Sequence, residues 1–161
     1  MRYAAIAVDY GGTITCPDAP VDPELRQRRV DPRAATALHI LHSCGHRLVL
    51  VSNNRPDQDR GRALQLAGLQ DVFATLVLSQ ELGVGKPHPA FYRAALDACD
   101  VPAEQVLWVG NNVVNDVLGP LAHNVGAAVL IGRPPKGAVL PERVTALDHV
   151  AGLPRLLAVS H

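Results

Sequence analysis

Short apolar runs alternate along this chain with longer stretches of helical period. Tyr3–Val8 reads as a strand buried on both faces, as do Leu48–Val51, Thr75–Leu78, Val106–Val109 and Ala127–Ile131. Between the first two, Pro32–Ser43 carries apolar residues at 34, 35, 38 and 41, the stripe of an amphipathic helix, and Gly45 supplies its stop. Asp57–Ala67 predicts a second helix ended by Gly68. Pro87 suits the first turn of a third, running to about Cys99. Asn115–His123 predicts a shorter helix across Gly119-Pro120. A short strand at Val144–Leu147 and a terminal helix from Leu153 close the pattern. Continuous apolar strands alternating with helices predict an α/β class: a doubly wound, three-layer, Rossmann-like parallel sheet of five to six strands.

In such sheets ligands bind at the carboxyl ends of the strands, near the switch in strand order. Polar residues stand at four of those ends. They are Asp9, then Ser52-Asn53-Asn54, then Ser79, then Gly110-Asn111-Asn112. The topology therefore predicts one cleft that all four share.

Composition narrows the class without choosing a function. The 161 residues predict one domain, with no repeat or linker, and 48% hydrophobic content suits a packed core. Fifteen basic and fifteen acidic residues cancel, so no global field draws the chain to nucleic acid or an anionic membrane. Cys16, Cys44 and Cys99 lack metal-ligand spacing and read as reduced thiols. With no leader-like start and no membrane-length apolar run, the expected location is the cytoplasm.

Four segments carry chemistry. In Asp9-Tyr10-Gly11-Gly12-Thr13 a half-desolvated carboxylate is followed by glycines that let main-chain amides approach an anion. Such a carboxylate can attack an electrophile, or merely cap a turn. Ser52 can hold a phosphate oxygen, although a Ser-Asn-Asn turn is commonplace. Lys86, before Pro87, can bring its ammonium into the cleft, or remain on the surface. The stretch around it is not a Walker loop, because position 80 is Gln and Pro87 replaces the expected Ser or Thr. Gly110-Asn111-Asn112-Val113-Val114-Asn115-Asp116 sets a carboxylate and amide oxygens at the fourth strand end, hard donors that suit Mg²⁺ or cap an ordinary helix.

In this order the four segments resemble the motifs of the haloacid dehalogenase-like (HAD) hydrolase superfamily, across nearly the whole chain. The resemblance implies a single HAD-like domain over 1–161. Asp9 is then the nucleophile and a Mg²⁺ ligand, joined on the metal by the Gly11 carbonyl, Asn111 and Asp116. Ser52 binds the transferring phosphoryl group with Asn53 beside it, and Gly12 and Thr13 cradle it. Lys86 steadies the charge. Neither the 14–32 flap nor the stretch between Asn54 and the third strand can hold the cap domain that usually selects small substrates. A capless member needs its own flap, another copy or a macromolecular substrate, so a homo-oligomer is expected.

Two positions depart from the family pattern. Phosphatases of the family carry Asp-x-Asp, the second Asp acting as acid and base; here that position is Gly11. Their fourth motif begins Gly-Asp; here it is Gly-Asn111. A lost acid–base group costs roughly 10²–10⁴ in rate, and a lost carboxylate weakens Mg²⁺ binding. Three expectations follow. The chain is a slow phosphohydrolase on small phosphorylated substrates with good leaving groups. Or it binds an anionic ligand or a protein partner without turnover. Or it cleaves a carbon–halogen or carbon–phosphorus bond. Asp-Tyr-Gly-Gly-Thr also resembles the phosphate-binding start of actin-fold sugar kinases, but those are much longer and a β-hairpin follows there.

The remaining candidates are weaker. Arg26, Arg28, Arg29 and Arg33 form a solvated surface or reach over the cleft to an anion. Cys16 reads as inert, and His39, His42 and His46 lie outside metal-ligand spacing. His88 adjoins Lys86, and Trp108 reads as core.

Overall fold

The computed structural model describes residues 2–159. Six parallel strands form one sheet in the order β3-β2-β1-β4-β5-β6. They are β1 (Ala5–Val8), β2 (Arg47–Ser52), β3 (Phe73–Leu78), β4 (Val106–Gly110), β5 (Ala127–Ile131) and β6 (Val144–Leu147). The chain builds outward from β1 through β2 to β3, then returns to lay β4 on the other side of β1. The switch in direction therefore falls between β1 and β4, whose pairing runs from Ala5 against Val106 to Val8 against Val109.

Both faces of the sheet are covered. Ile6 and Val8 of β1, with Leu48 and Leu50 of β2, point to one side. There they meet α1 (Pro32–Ser43), α2 (Arg60–Leu66) and α6 (Leu153–Ala158) through Leu38, Leu41, Leu64, Leu153 and Leu157. The intervening Ala5, Ala7, Val49 and Val51 face the other side, against Phe91, Tyr92 and Ala95 of α4 (Pro89–Cys99). Period-two side chains buried on both faces leave no polar face on the central strands, which is why they read as unbroken apolar runs. The three-layer parallel expectation is borne out.

Several boundaries differ from expectation for local reasons. The second helix starts at Arg60 because the Asp59 carboxylate accepts from the Arg62 amide at 2.9 Å and sets the cap there. The helix expected from Pro87 starts at Pro89, capped by His88, whose Nδ1 accepts from the Ala90 amide at 3.0 Å. A short helix, α3 (Ser79–Leu82), directly follows β3 and was not expected. The segment expected to be one helix over 115–123 begins as a π-helical turn, Val114–Leu118, and continues as α5 (Gly119–Ala122). Pro120 has no N–H to give to the Asp116 carbonyl, so an ordinary α turn cannot form there.

Candidate active site

The carboxyl ends of β1, β2 and β4 meet around an open cleft of about 180 Å³. Asp9, Asn53, Arg60, Lys86, Asn111 and Asp116 are among its lining residues.

Lys86 is at the centre. It is 6% exposed, and its Nζ uses all three donors: 3.0 Å to the Val51 carbonyl, 2.9 Å to Asp116 Oδ1 and 3.2 Å to Asp9 Oδ1. Asn53 fixes the backbone beneath it. Its Oδ1 accepts from the Lys86 amide at 2.8 Å and its Nδ2 donates to the Lys86 carbonyl at 3.0 Å. Asp116 is fully buried, and both its oxygens accept further bonds, from the Trp108 indole N–H at 3.1 Å and the Asn112 amide at 3.2 Å. A side chain at Gly110 would collide with the Asp116 carboxyl, so glycine at this strand end is what lets Asp116 close on Lys86.

Asp9 lies 8% exposed at the mouth of this arrangement. Burial pushes its carboxyl up to about 6; Lys86 opposes the rise and Asp116 adds to it. One end atom of the Asn111 amide stands 3.1 Å from the Gly11 carbonyl oxygen and 3.3 Å from Asp9 Oδ2. As nitrogen, that atom donates to both. As oxygen, it makes a triangle of oxygens that is repulsive unless a cation lies among them. Neighbouring oxygens of an octahedral Mg²⁺ site, bound at about 2.0–2.1 Å, stand about 3 Å apart, so this donor set fits Mg²⁺. It is a weak set. Among the described residues no group of three or more His, Cys, Asp or Glu could hold a metal. Gly12, at φ +71, permits the approach, since a Cβ there would strike the Asn111 amide.

Ser52 and Thr13 differ from the others. Ser52 is fully buried, and its hydroxyl accepts from Arg60 Nε at 3.1 Å instead of facing the cleft. Thr13 is 2% exposed and its hydroxyl has no partner. Arg26, Arg28, Arg29 and Arg33 are exposed and none lines the cleft. Arg29 pairs with Asp22 and Arg33 with Asp31. The arginine that does line it is Arg60, which the sequence reading missed. It stands at the first position of its helix, where the helix dipole disfavours a cation, but the sequence pattern placed that helix start at Asp57. Cys16 and His88 stay outside the lining, and Trp108 is core but also a donor to Asp116.

A family model described as haloacid dehalogenase-like hydrolase matches residues 5–124. The chain belongs to the haloacid dehalogenase-like hydrolases. Among its HAD relatives, a glyceraldehyde 3-phosphate phosphatase of Pyrococcus furiosus is 32% identical over 130 residues, 80% of this chain and 53% of that protein. A phosphoserine phosphatase of Thermus thermophilus is 36% identical over 104 residues, 65% of this chain and 41% of that protein. The chain thus spans about half or less of the length of these relatives. An uncharacterized protein from Listeria monocytogenes serotype 4b has the same fold, with a TM-score of 0.78 at 20% identity over 97% of each chain. Within this HAD chain, the 14–32 flap carries the isolated bridges Thr15 to Val30 and Asp22 to Gln27.

Proposed function

We propose that this HAD chain is a slow, magnesium-assisted phosphohydrolase of small phosphorylated compounds, working through phosphoryl transfer to Asp9. The observation that carries this reading is the Asp9 carboxylate, opening into the cleft at the sheet switch with the Lys86 ammonium 3.2 Å away. Its relatives, phosphatases of glyceraldehyde 3-phosphate and of phosphoserine, support small phosphate esters as the substrate class.

The chain's own residues account for most steps. An Asp9 oxygen attacks phosphorus, forming an O–P bond as the bond to the leaving oxygen breaks and that oxygen departs with the electron pair. Lys86, pinned by Val51 and Asp116, holds positive charge against the reacting oxygens without having to reorganise. Asp9, the Gly11 carbonyl and Asn111 would hold Mg²⁺, which when bound would neutralise charge on the phosphoryl oxygens. Water then attacks the phosphorus of the acyl phosphate and frees Asp9 and phosphate. Among the described residues that line the cleft, the only carboxyl groups are the nucleophile Asp9 and Asp116, which is held by Lys86, so no further carboxyl group is placed to protonate the leaving oxygen. Leaving groups that need no proton, acyl and aryl phosphates, are therefore favoured.

That same absence favours a second reading, ligand binding without turnover. One assay separates them: phosphate release from acetyl phosphate, p-nitrophenyl phosphate and a simple alkyl phosphate with Mg²⁺, for wild type, Asp9→Asn and Gly11→Asp. A Cβ at Gly11 meets nothing within 4 Å, so the carboxylate is accommodated. The hydrolase reading expects wild-type turnover abolished by Asp9→Asn and raised about 10²–10⁴-fold on alkyl phosphates by Gly11→Asp. Wild-type silence with activity gained in Gly11→Asp supports the binding reading.

A further inference from the structure

Arg60 is a buried cation without a carboxylate. It is 6% exposed, yet among the described residues it makes no ion pair, whereas Lys86 has two. Its partners are neutral: Nε donates to Ser52 Oγ at 3.1 Å, Nη2 to the Asn53 carbonyl at 3.0 Å, and Nη1 to Gln27 Oε1. The guanidinium also stacks on the Tyr10 ring, 4.3 Å from its centroid. Three of its five N–H groups are thereby used and two remain. The residue lines the cleft together with Asp9, Asn53 and Lys86. Desolvating a charge with no counter-charge in contact is costly, and the Asp9 carboxylate favours it only through space. Here that cost is kept beside the nucleophile, and the hydroxyl expected to take the phosphoryl group lies beneath the guanidinium instead.

We propose that Arg60 is the anion receptor of this cleft, binding the phosphoryl oxygens of the substrate through its two remaining N–H groups in place of Ser52. This rests on the phosphohydrolase reading for the identity of the anion, but not for the existence of the site. A planar guanidinium matches phosphate in a two-point, charge-assisted contact that a lysine ammonium cannot copy. Gln27 of the flap and Tyr10, next to Asp9, hold the plane in place, so they supply orientation and Arg60 the charge. Ser52 becomes a positioning residue whose hydroxyl accepts from Nε.

The test uses the whole chain and inorganic phosphate. Phosphate is titrated into ¹⁵N-arginine-labelled protein while the Arg60 Nε–H resonance, assigned by its loss in Arg60→Lys, is followed by NMR. Affinity is measured in parallel by calorimetry for wild type, Arg60→Lys and Arg60→Gln. The expected result is a saturable shift of the Arg60 signal and affinity about tenfold lower in Arg60→Lys, and lower still in Arg60→Gln. With a turned-over substrate the loss falls first on KM. An Arg60 signal unmoved as phosphate binds overturns the assignment, as do variants that bind phosphate within twofold of wild type or a wild type that binds none. The wild-type titration decides even where a variant does not fold. Phosphate binding through Arg60 without turnover overturns the hydrolase reading alone. Turnover with an indifferent Arg60 overturns this assignment alone.

Discussion

At the residue scale, Asp9 carries the account, and its environment makes a pH prediction. Burial holds its carboxyl near 6, against the pull of Lys86. A nucleophile must be ionised, so kcat/KM for acetyl phosphate at limiting magnesium should fall on the acid side with a midpoint near pH 6. A limb in the ordinary carboxylate range would show that Asp9 is not desolvated as described. Asp9 was legible because it ends an apolar run, Lys86 because it stands just before Pro87, and Asp116 because it follows the fourth strand end, the three in the order of the family's motifs. Arg60 and the Trp108 indole were not. Their significance comes from partners on other elements, Ser52 and Gln27 for one and Asp116 for the other, and no local spacing encodes such pairs.

At the element scale, the caps decide where helices begin and how they join the sheet. Asp31 caps α1, its Oδ1 accepting from the Arg33 amide at 2.9 Å, while its Oδ2 meets His149 Nε2 at 2.8 Å. One carboxylate thus ties α1 to the segment before α6. Asp31→Ala should cost about 1–2 kcal/mol in urea unfolding near neutral pH. Burial raises the Asp31 carboxyl, but the Arg33 amide and His149 outweigh it, and the net position is below the ordinary value. This stabilisation is present above the unfolded carboxylate range and is lost as the pH falls below that range through the lower folded value. Asp31→Asn keeps a capping oxygen but not the charge, so its deficit relative to wild type should shrink in acid. The central strands were legible because two-sided burial leaves continuous apolar runs; β5 matches residue for residue, as does β6, a partly buried edge strand. Helix starts were less so. Asp57 and Pro87 both looked like openings, and the capping bonds formed at Asp59 and His88 instead.

At the scale of the whole molecule, Lys86 joins what the sheet order brings together. Its ammonium touches the ends of β1 and β2 and the π-helical turn after β4, across the switch point. Removing it leaves the Asp116 carboxyl sealed from water without its cation. Lys86→Met should destabilise the fold by about 3–5 kcal/mol, and Lys86→Met/Asp116→Asn by less than that single change. Urea midpoints of the three proteins check both statements; an additive double variant would mean that the buried pair is not coupled. Convergence of the strand ends could be read from the alternation of strands and helices. The strand order itself could not, because nothing in an apolar run states which neighbour it pairs with.

The central claim, that Asp9 receives the phosphoryl group, is tested most directly by trapping. The protein is mixed with acetyl phosphate and Mg²⁺, quenched in acid within the turnover time, digested and mapped by mass spectrometry. The account predicts the mass of one phosphoryl group on Asp9, removed by hydroxylamine and absent from Asp9→Asn. Phosphate release by a protein whose Asp9 stays unmodified through the reaction would contradict it.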